Sequence, residues 1–436
     1  MTGNSFEGAI GTVARRRRLL GIPRRVALLG GTTTLGDCAV AVRYLADARR
    51  LVDGPVIADY ERAFARRVGV RYAYSFSAGR VGLYGLLRLL EIGSGDEVLL
   101  QVPTHIVVPN AIRYTGAQPV YVDCRLEDYN MDLELAERQI TPRTKALILQ
   151  HTFGIPADLD RAVALADRHG LALIEDCVHS LGSKYGGQQV GTFGKAAFFS
   201  TEETKTISST MGGMVVTDDQ ALAAKLQAYQ ATCARPSASL SGRYVLKLAL
   251  YHLLTQPYLH SYARSLYDLF GRRNPLPQAT SAVELRGVRP DNYEQGLSNA
   301  QAALALRQLK RLDGSLAHRK AVSNIYAALL SQYGFRLPQV GPKAEPAFVR
   351  YPVWVPDRDA AIRATASHVV LGTWFTSVLE EAASPAYAGY EMGSCPRAEA
   401  AAIHLINLPT HLRVKPYDVE AITSALAKLA PTEKSS

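Results

Sequence analysis

The chain lacks any run of about 18 or more consecutive apolar residues, so a helix that crosses a bilayer is not expected. Cysteine is scarce. The five cysteines (Cys38, Cys124, Cys177, Cys233 and Cys395) are odd in number, widely spaced and never in a CxxC pair. That excludes a disulfide or zinc framework and predicts free thiols in a reducing cytoplasm. Charged residues make up only 20% of the 436 positions and hydrophobic ones 47%, which is globular composition and excludes a disordered chain or a collagen. A convincing signal peptide is also missing. Arg24 and Arg25 interrupt the apolar run after Arg15–Arg18, and no small-residue cleavage site surrounds Asp37 and Cys38.

Charge of one sign is unevenly spread. The formal net charge is +10. Residues 1–50 hold nine arginines against three acids, and residues 243–273 hold five basic residues against Asp268. These two stretches carry the whole excess, so the remaining body is neutral and a nucleic-acid-binding core is not expected. Residues 1–50 read as a basic N-terminal extension. Both basic stretches suit an anionic membrane, substrate or partner. Two glycine motifs fail on spacing. Gly30-Gly31-Thr32 is not a dinucleotide fingerprint, and the near-P-loop ending at Lys195 has Gln189 for its first glycine and Ala196 for its hydroxyl residue.

Ile57, Tyr60, Phe64 and Val68 recur at helical spacing before Gly69, which predicts a helix over 56–68. A short strand over 70–76 follows, then a tight loop at Ser77–Arg80 and a helix over 81–91. Apolar runs at 97–101, 119–123, 146–150, 171–176, 196–200 and 213–217 alternate with helical stretches such as 133–139, 158–169 and 219–231. Strands alternating with helices predict an α/β fold with a mostly parallel sheet flanked by helices. Ligands then bind beyond the carboxyl ends of the strands. The large domain spans 51–232. Residues 233–296 form a tyrosine-rich insert. Its half from Tyr244 to Leu254 is apolar on nearly every face, so it is expected to be buried or to act as a lid, with peripheral membrane contact through 244–270 as the alternative. Residues 297–332 read as one long linking helix, and 357–430 as part of a smaller C-terminal α/β domain within 297–436.

Three strand ends carry chemistry. Asp176 ends a buried strand with His179 one turn on. Ser200 ends another with Lys205 five residues later. The Ser77–Arg80 loop opens a helix whose unpaired N–H groups favour a phosphate. Singly, each has a bland reading: an acid at a strand end is commonly a helix cap, and a lone lysine is commonly a surface residue. Together they supply an anion site, an amine and a buried carboxylate, the set that pyridoxal phosphate requires.

The phrases SAGRVGL, GDEVLLQVPTH, TPRTKALILQHTFGIPADLD, IEDCVHSLG, FFSTEETK and GGMVVTDD, with NAQAALALRQLKRLD and CPRAEAAAIHLINLP later on, resemble the DegT/StrS sugar aminotransferases of fold type I, the aspartate-aminotransferase-like fold. The resemblance implies a homodimer with pyridoxal 5'-phosphate as cofactor and no metal. Lys205 would bond the cofactor's aldehyde and shuttle the proton, Asp176 would pair with the pyridine nitrogen, and His179 would lie near the phenolic oxygen. His105 would stack on the ring, while Ser200 and the Gly79 and Arg80 amides would hold the phosphate. Glutamate or glutamine would donate the amino group to a keto sugar, nucleotide-linked, or to a related polyol ketone, in natural-product (antibiotic) or glycan biosynthesis.

This chain departs from the family at several points. Arg80 stands where a hydroxyl residue is usual, which brings a guanidinium to the phosphate. Glu294-Gln295-Gly296-Leu297 replaces the usual Asn-Tyr-Arg-Met, Lys195 replaces an aspartate, Met211 replaces an acid, and the 235–292 insert is long. Two other readings differ in kind. A dehydratase or aromatising lyase of the same fold would tend to carry histidine in place of Lys205. A non-catalytic regulator or membrane-docked scaffold would use the basic extension and the insert without the chemistry.

Overall fold

The computed structural model describes residues 24–260, 262 and 279–430. The run Arg15–Arg18 and insert positions 261 and 263–278 lie outside them.

The centre is a seven-stranded sheet: β1 (Tyr72–Phe76), β2 (Glu97–Gln101), β3 (Gln118–Val122), β4 (Thr144–Gln150), β5 (Ala172–Asp176), β6 (Ala196–Ser200) and β7 (Gly213–Thr217). Their spatial order is β1-β7-β6-β5-β4-β2-β3. Only β7 runs against its neighbours. Both faces are covered, and the central strands show why they read as continuous apolar runs. Leu147, Leu149, Leu173 and Phe199 pack into one core, while Ile148, Ile174, Ala196 and Phe198 pack into the other. Each such leucine, isoleucine or phenylalanine removed from water contributes about 1.5–3 kcal/mol, which commits both faces to helices.

The helices α1 (Leu35–Ala46), α2 (Ala48–Val52), α3 (Val56–Val68) and α4 (Gly79–Leu89) precede or follow β1. Helix α3 follows its predicted bounds. It buries Tyr60, Phe64 and Val68, and it ends where Gly69 turns to φ 93° and donates to the Ala65 carbonyl. Four more short helices on the sheet are α5 (Val107–Arg113), α6 (Leu133–Arg138), α7 (Leu159–His169) and α8 (Gln220–Thr232). The insert contributes α9 (Ala238–Leu254).

The predicted single linking helix is two, α10 (Asn299–Leu309) and α11 (Leu312–Gln332), which part at Lys310-Arg311. The C-terminal unit pairs strands β8 (Arg350–Trp354) and β9 (Leu405–Pro409) antiparallel, backed by α11 and the helix Pro416–Ala427.

Residues 24–52 are not a free extension. Val26 bridges Val369 of the C-terminal unit, and the Ala27 carbonyl lies 2.8 Å from His411 Nε2. Asp37, fully buried, pairs with Arg307 and Arg311 at 3.1 and 2.7 Å. Helices α1, α2, α9 and α10 share a small core of Ala41, Leu51, Val245, Leu248, Ala300 and Leu304. Helix α9 departs from the expectation of complete burial. Leu246, Leu253 and Leu254 stand in solvent while Val245, Lys247, Leu248 and His252 face inward. Its apolar residues outnumber what the underlying helices can cover.

Candidate active site

The strand register brings the functional positions level. Phe76 pairs with Gly213, Gly213 with Ser200, Phe198 with Asp176, and Asp176 with Gln150. A cavity opens beyond these ends. Gly79, Arg80, His105, Asp176, His179, Ser200 and Lys205 all line it.

Asp176 ends β5 inside the core. One carboxylate oxygen accepts the Val178 N–H at 3.1 Å, and the other is buried with no partner. Desolvation pushes the carboxyl up to about 7, against a smaller opposing pull from Lys205. Lys205 is partly exposed on the cavity wall, and desolvation lowers its amine to about 8. An amine near that value sheds its proton readily and becomes a nucleophile. His179, also buried, is held neutral because burial strongly disfavours its cation.

At the anion end, helix α4 starts with Ala78 as its N-cap. Ala78 offers no side-chain cap, so the first turn's donors face the cavity without a side-chain partner. A Cβ on Gly79 would stand 3.0 Å from the Phe199 carbonyl, and one on Gly213 would sit 2.2 Å from the Gly79 nitrogen. Backbone alone fits there. Ser200 stands across from this turn, with its hydroxyl accepting the Glu202 N–H.

The Arg80 guanidinium does not point at the anion site. It pairs with buried Glu284 at 2.6 Å and donates to the Ala279 carbonyl at 2.9 Å, so the insert draws it away. Only its backbone remains at the helix start. His105 Nε2 lies 3.2 Å from Glu381, whose carboxyl is lowered to about 2, chiefly by that hydrogen bond. The Thr104–His105 strand pairs with Leu379–Glu380, which ties the C-terminal unit to the cavity wall.

The C-terminal unit also supplies a residue that local sequence spacing does not reveal. The Trp374 indole stacks on His179 (centroids 4.4 Å apart, 18° between planes), and the Lys205 ammonium lies 4.3 Å from its ring centre. The buried Arg350 guanidinium lies 3.5 Å from the same centroid. Asn407 holds the Trp374 backbone through two hydrogen bonds of 2.9 and 2.8 Å. Trp374 is 169 positions after Lys205, and its only advance signal is that it is one of two tryptophans.

Directly behind Asp176, His151, Glu175 and Cys177 bring three potential metal-ligand atoms within 4.8 Å of one another. Their hydrogen bonds are already committed. Glu175 accepts the Gly191, Phe193 and Gly194 N–H groups and faces His151 Nε2, while His151 Nδ1 accepts the Ala157 N–H. The trio is a structural knot that fixes the end of β5.

Residues 36–248 and 257–427 match the DegT/DnrJ/EryC1/StrS aminotransferase family. The chain belongs to that family. It is a sugar aminotransferase of fold type I. It is 30% identical over 381 residues to the GDP-perosamine synthase of Caulobacter vibrioides, covering 86% of this chain and 90% of that protein. The S. venezuelae DesV structure, solved in complex with a ketimine intermediate, superposes with a TM-score of 0.68 at 27% identity, covering 92% of this chain and 95% of that one. A sugar aminotransferase of Streptococcus pneumoniae, solved in its PMP form, shares the fold at a TM-score of 0.72 and 20% identity, covering 94% and 98% of the two chains.

Proposed function

We propose that this cavity binds pyridoxal 5'-phosphate and transfers an amino group from glutamate or glutamine to a keto sugar, nucleotide-linked, or to a related polyol ketone. The single observation that carries the proposal is the buried, unpartnered oxygen of Asp176 in the same cavity as the desolvated Lys205 amine. Such an oxygen costs folding free energy unless a donor meets it in the working enzyme.

The residues fit the cofactor at each end. Asp176 would accept from the ring nitrogen. The α4 first turn and Ser200 would take the phosphate, and His105 would cover the ring. The bound cofactor supplies an aldehyde that carries the amino group and a ring that withdraws electrons. The chain's own tasks are then specific. Asp176, kept from water, would hold a positive charge at the ring nitrogen. The Lys205 Nζ would bond the aldehyde carbon with release of water, and once displaced by a substrate amine it would carry a proton between the substrate carbon and that same cofactor carbon. His179, neutral at working pH, offers a ring nitrogen that is buried without a partner. Trp374 narrows the cavity above Lys205 and keeps bulk water from the amine.

A GDP-linked sugar product in the name of the Caulobacter relative supports the nucleotide-linked substrate class. The reading includes a homodimer in the cytoplasm, serving natural-product or glycan synthesis. Absorbance titration of the purified protein with pyridoxal phosphate tests it. A band above 400 nm should form and bleach on adding glutamate or glutamine, and Lys205→Ala should abolish both. A fully active Lys205→Ala enzyme would refute the proposal.

A further inference from the structure

Behind the Lys205 loop, elements distant in sequence set positive charge around one small cavity, and we infer that this cavity binds a single halide ion of the chloride class. Arg319 of α11, Arg350 of β8 and Lys205 stand on its wall, together with the Gly30-Gly31-Thr32 turn. Arg319 is 2% exposed and Arg350 4%. Thr204 and Lys205 also line the larger cavity, so the two spaces lie against each other across the reacting amine.

Neither guanidinium meets an acid among the described residues. Arg319 donates to the Val349 carbonyl at 2.9 Å and to the Thr410 hydroxyl at 2.8 Å, and its Nε is buried with no partner. Arg350 rests on the Trp374 ring and forms no ion pair or hydrogen bond with a described residue. Glu202 and Glu380 reach it only through longer-range attraction. The one acid on the described wall, Glu203, is committed to Lys247 at 2.7 Å. Burial lowers Arg319 to about 10 and Arg350 to about 9, the response of cations taken from water without a counter-charge. Such cations destabilise a fold unless a charge of the other sign stands beside them.

Backbone donors complete the site. The Gly30-Gly31-Thr32 turn, which fails as a dinucleotide fingerprint, is buried, and no backbone N–H from Leu28 to Thr33 donates to a described residue. Glycine is required there by space. A Cβ on Gly30, at φ 72°, would stand 2.4 Å from Thr255 Oγ1, and one on Gly31 would stand 2.0 Å from the His411 ring. Unpaired amides in a tight turn favour an anion. Size decides which anion. The cavity has room for about one water-sized sphere, which suits a single-atom ion and excludes a phosphate or the carboxylate of an amino acid.

Thermal melting of the full chain, with and without pyridoxal phosphate, tests the inference in sodium chloride and in sodium gluconate. Both salts are held at about 0.2 M ionic strength, so that screening is equal. Chloride should raise the melting temperature by about 1–3 °C and then saturate, because it binds only the folded state. Iodide should quench tryptophan emission with a saturable component as well, since Arg350 lies 3.5 Å from the Trp374 centroid. Arg350→Met should abolish both responses, and it should melt above the parent in gluconate, where the parent keeps a buried charge without a counter-ion. Arg350→Lys retains a charge and should keep a weaker chloride response. If the methionine variant does not fold, the parent's own chloride and iodide titrations decide. Three results would overturn the inference: equal melting of the parent in the two salts, a methionine variant that responds like the parent, or sodium glutamate that matches chloride on the cofactor-free chain, which would make a carboxylate the ligand.

Discussion

Replacing Asp176 by Asn separates what this carboxylate does for the reaction from what it does to the fold. The group ionises near 3.8 when unperturbed and near 7 in the folded protein, chiefly because it is desolvated. At about 1.4 kcal/mol per pH unit, its charge destabilises the cofactor-free fold by about 4 kcal/mol once the pH exceeds 7. The sign follows from proton counts. Between pH 4 and 7 the unfolded chain has lost this proton and the folded chain has kept it, so folding becomes less favourable as pH rises through that window. Below pH 4 the effect vanishes.

Asp176→Asn removes the ionisable group, and its amide oxygen can still accept the Val178 N–H. Urea unfolding of the apoprotein should therefore show the variant more stable by up to about 4 kcal/mol at pH 8, and by roughly half that at pH 5.5. With cofactor the order reverses, because the ring nitrogen loses its counter-charge. Breaking a buried charged pair costs about 3–5 kcal/mol, so kcat/KM should fall by a factor of about 200 to 5000. Equal stability of parent and variant at pH 8 would refute the desolvation argument. Equal activity would refute the pairing with the ring.

Other consequences are as direct. With Lys205 lowered to about 8, the rate at which the apoprotein takes up pyridoxal phosphate should climb through pH 8 and level off above about pH 9, as stopped-flow absorbance would record. Ser200→Ala should weaken cofactor affinity by about ten- to a hundredfold through one lost charge-assisted hydrogen bond, measured by equilibrium dialysis. Gly213→Ala would force a methyl group into the Ala78–Gly79 backbone, so unfolding should show a loss of about 1–3 kcal/mol along with weakened cofactor binding.

Much of the large domain was readable from periodicity alone. Strand runs buried on both faces, and α3 with its glycine stop, announce themselves because burial there follows local pattern. Asp176, Ser200 and Lys205 were within reach for the same reason: each sits at or just after a strand end, where an α/β sheet opens its crevice. What escaped depends on distant partners. The break at Lys310-Arg311 lies within a continuous helical pattern. The turn of Arg80 toward Glu284 depends on a carboxylate 204 positions away. Trp374 reaches the cavity only because β8 and β9 set the C-terminal unit against the strand ends. The attachment of residues 24–52 was hidden because arginines mask the few side chains that bury, among them Val26, Ala41 and Leu51.

The contact between Trp374 and Lys205 makes the protein a reporter on itself. The chain holds one other tryptophan, Trp354, which stacks on His404 at 4.7 Å. One indole lines the reaction chamber, and the other packs against the same small core of Tyr129, Phe153 and Phe375. Any cofactor that absorbs at indole emission wavelengths should darken the first. Filling, emptying and turnover can then be followed in unlabelled enzyme by fluorescence, without waiting for the substrate to be identified.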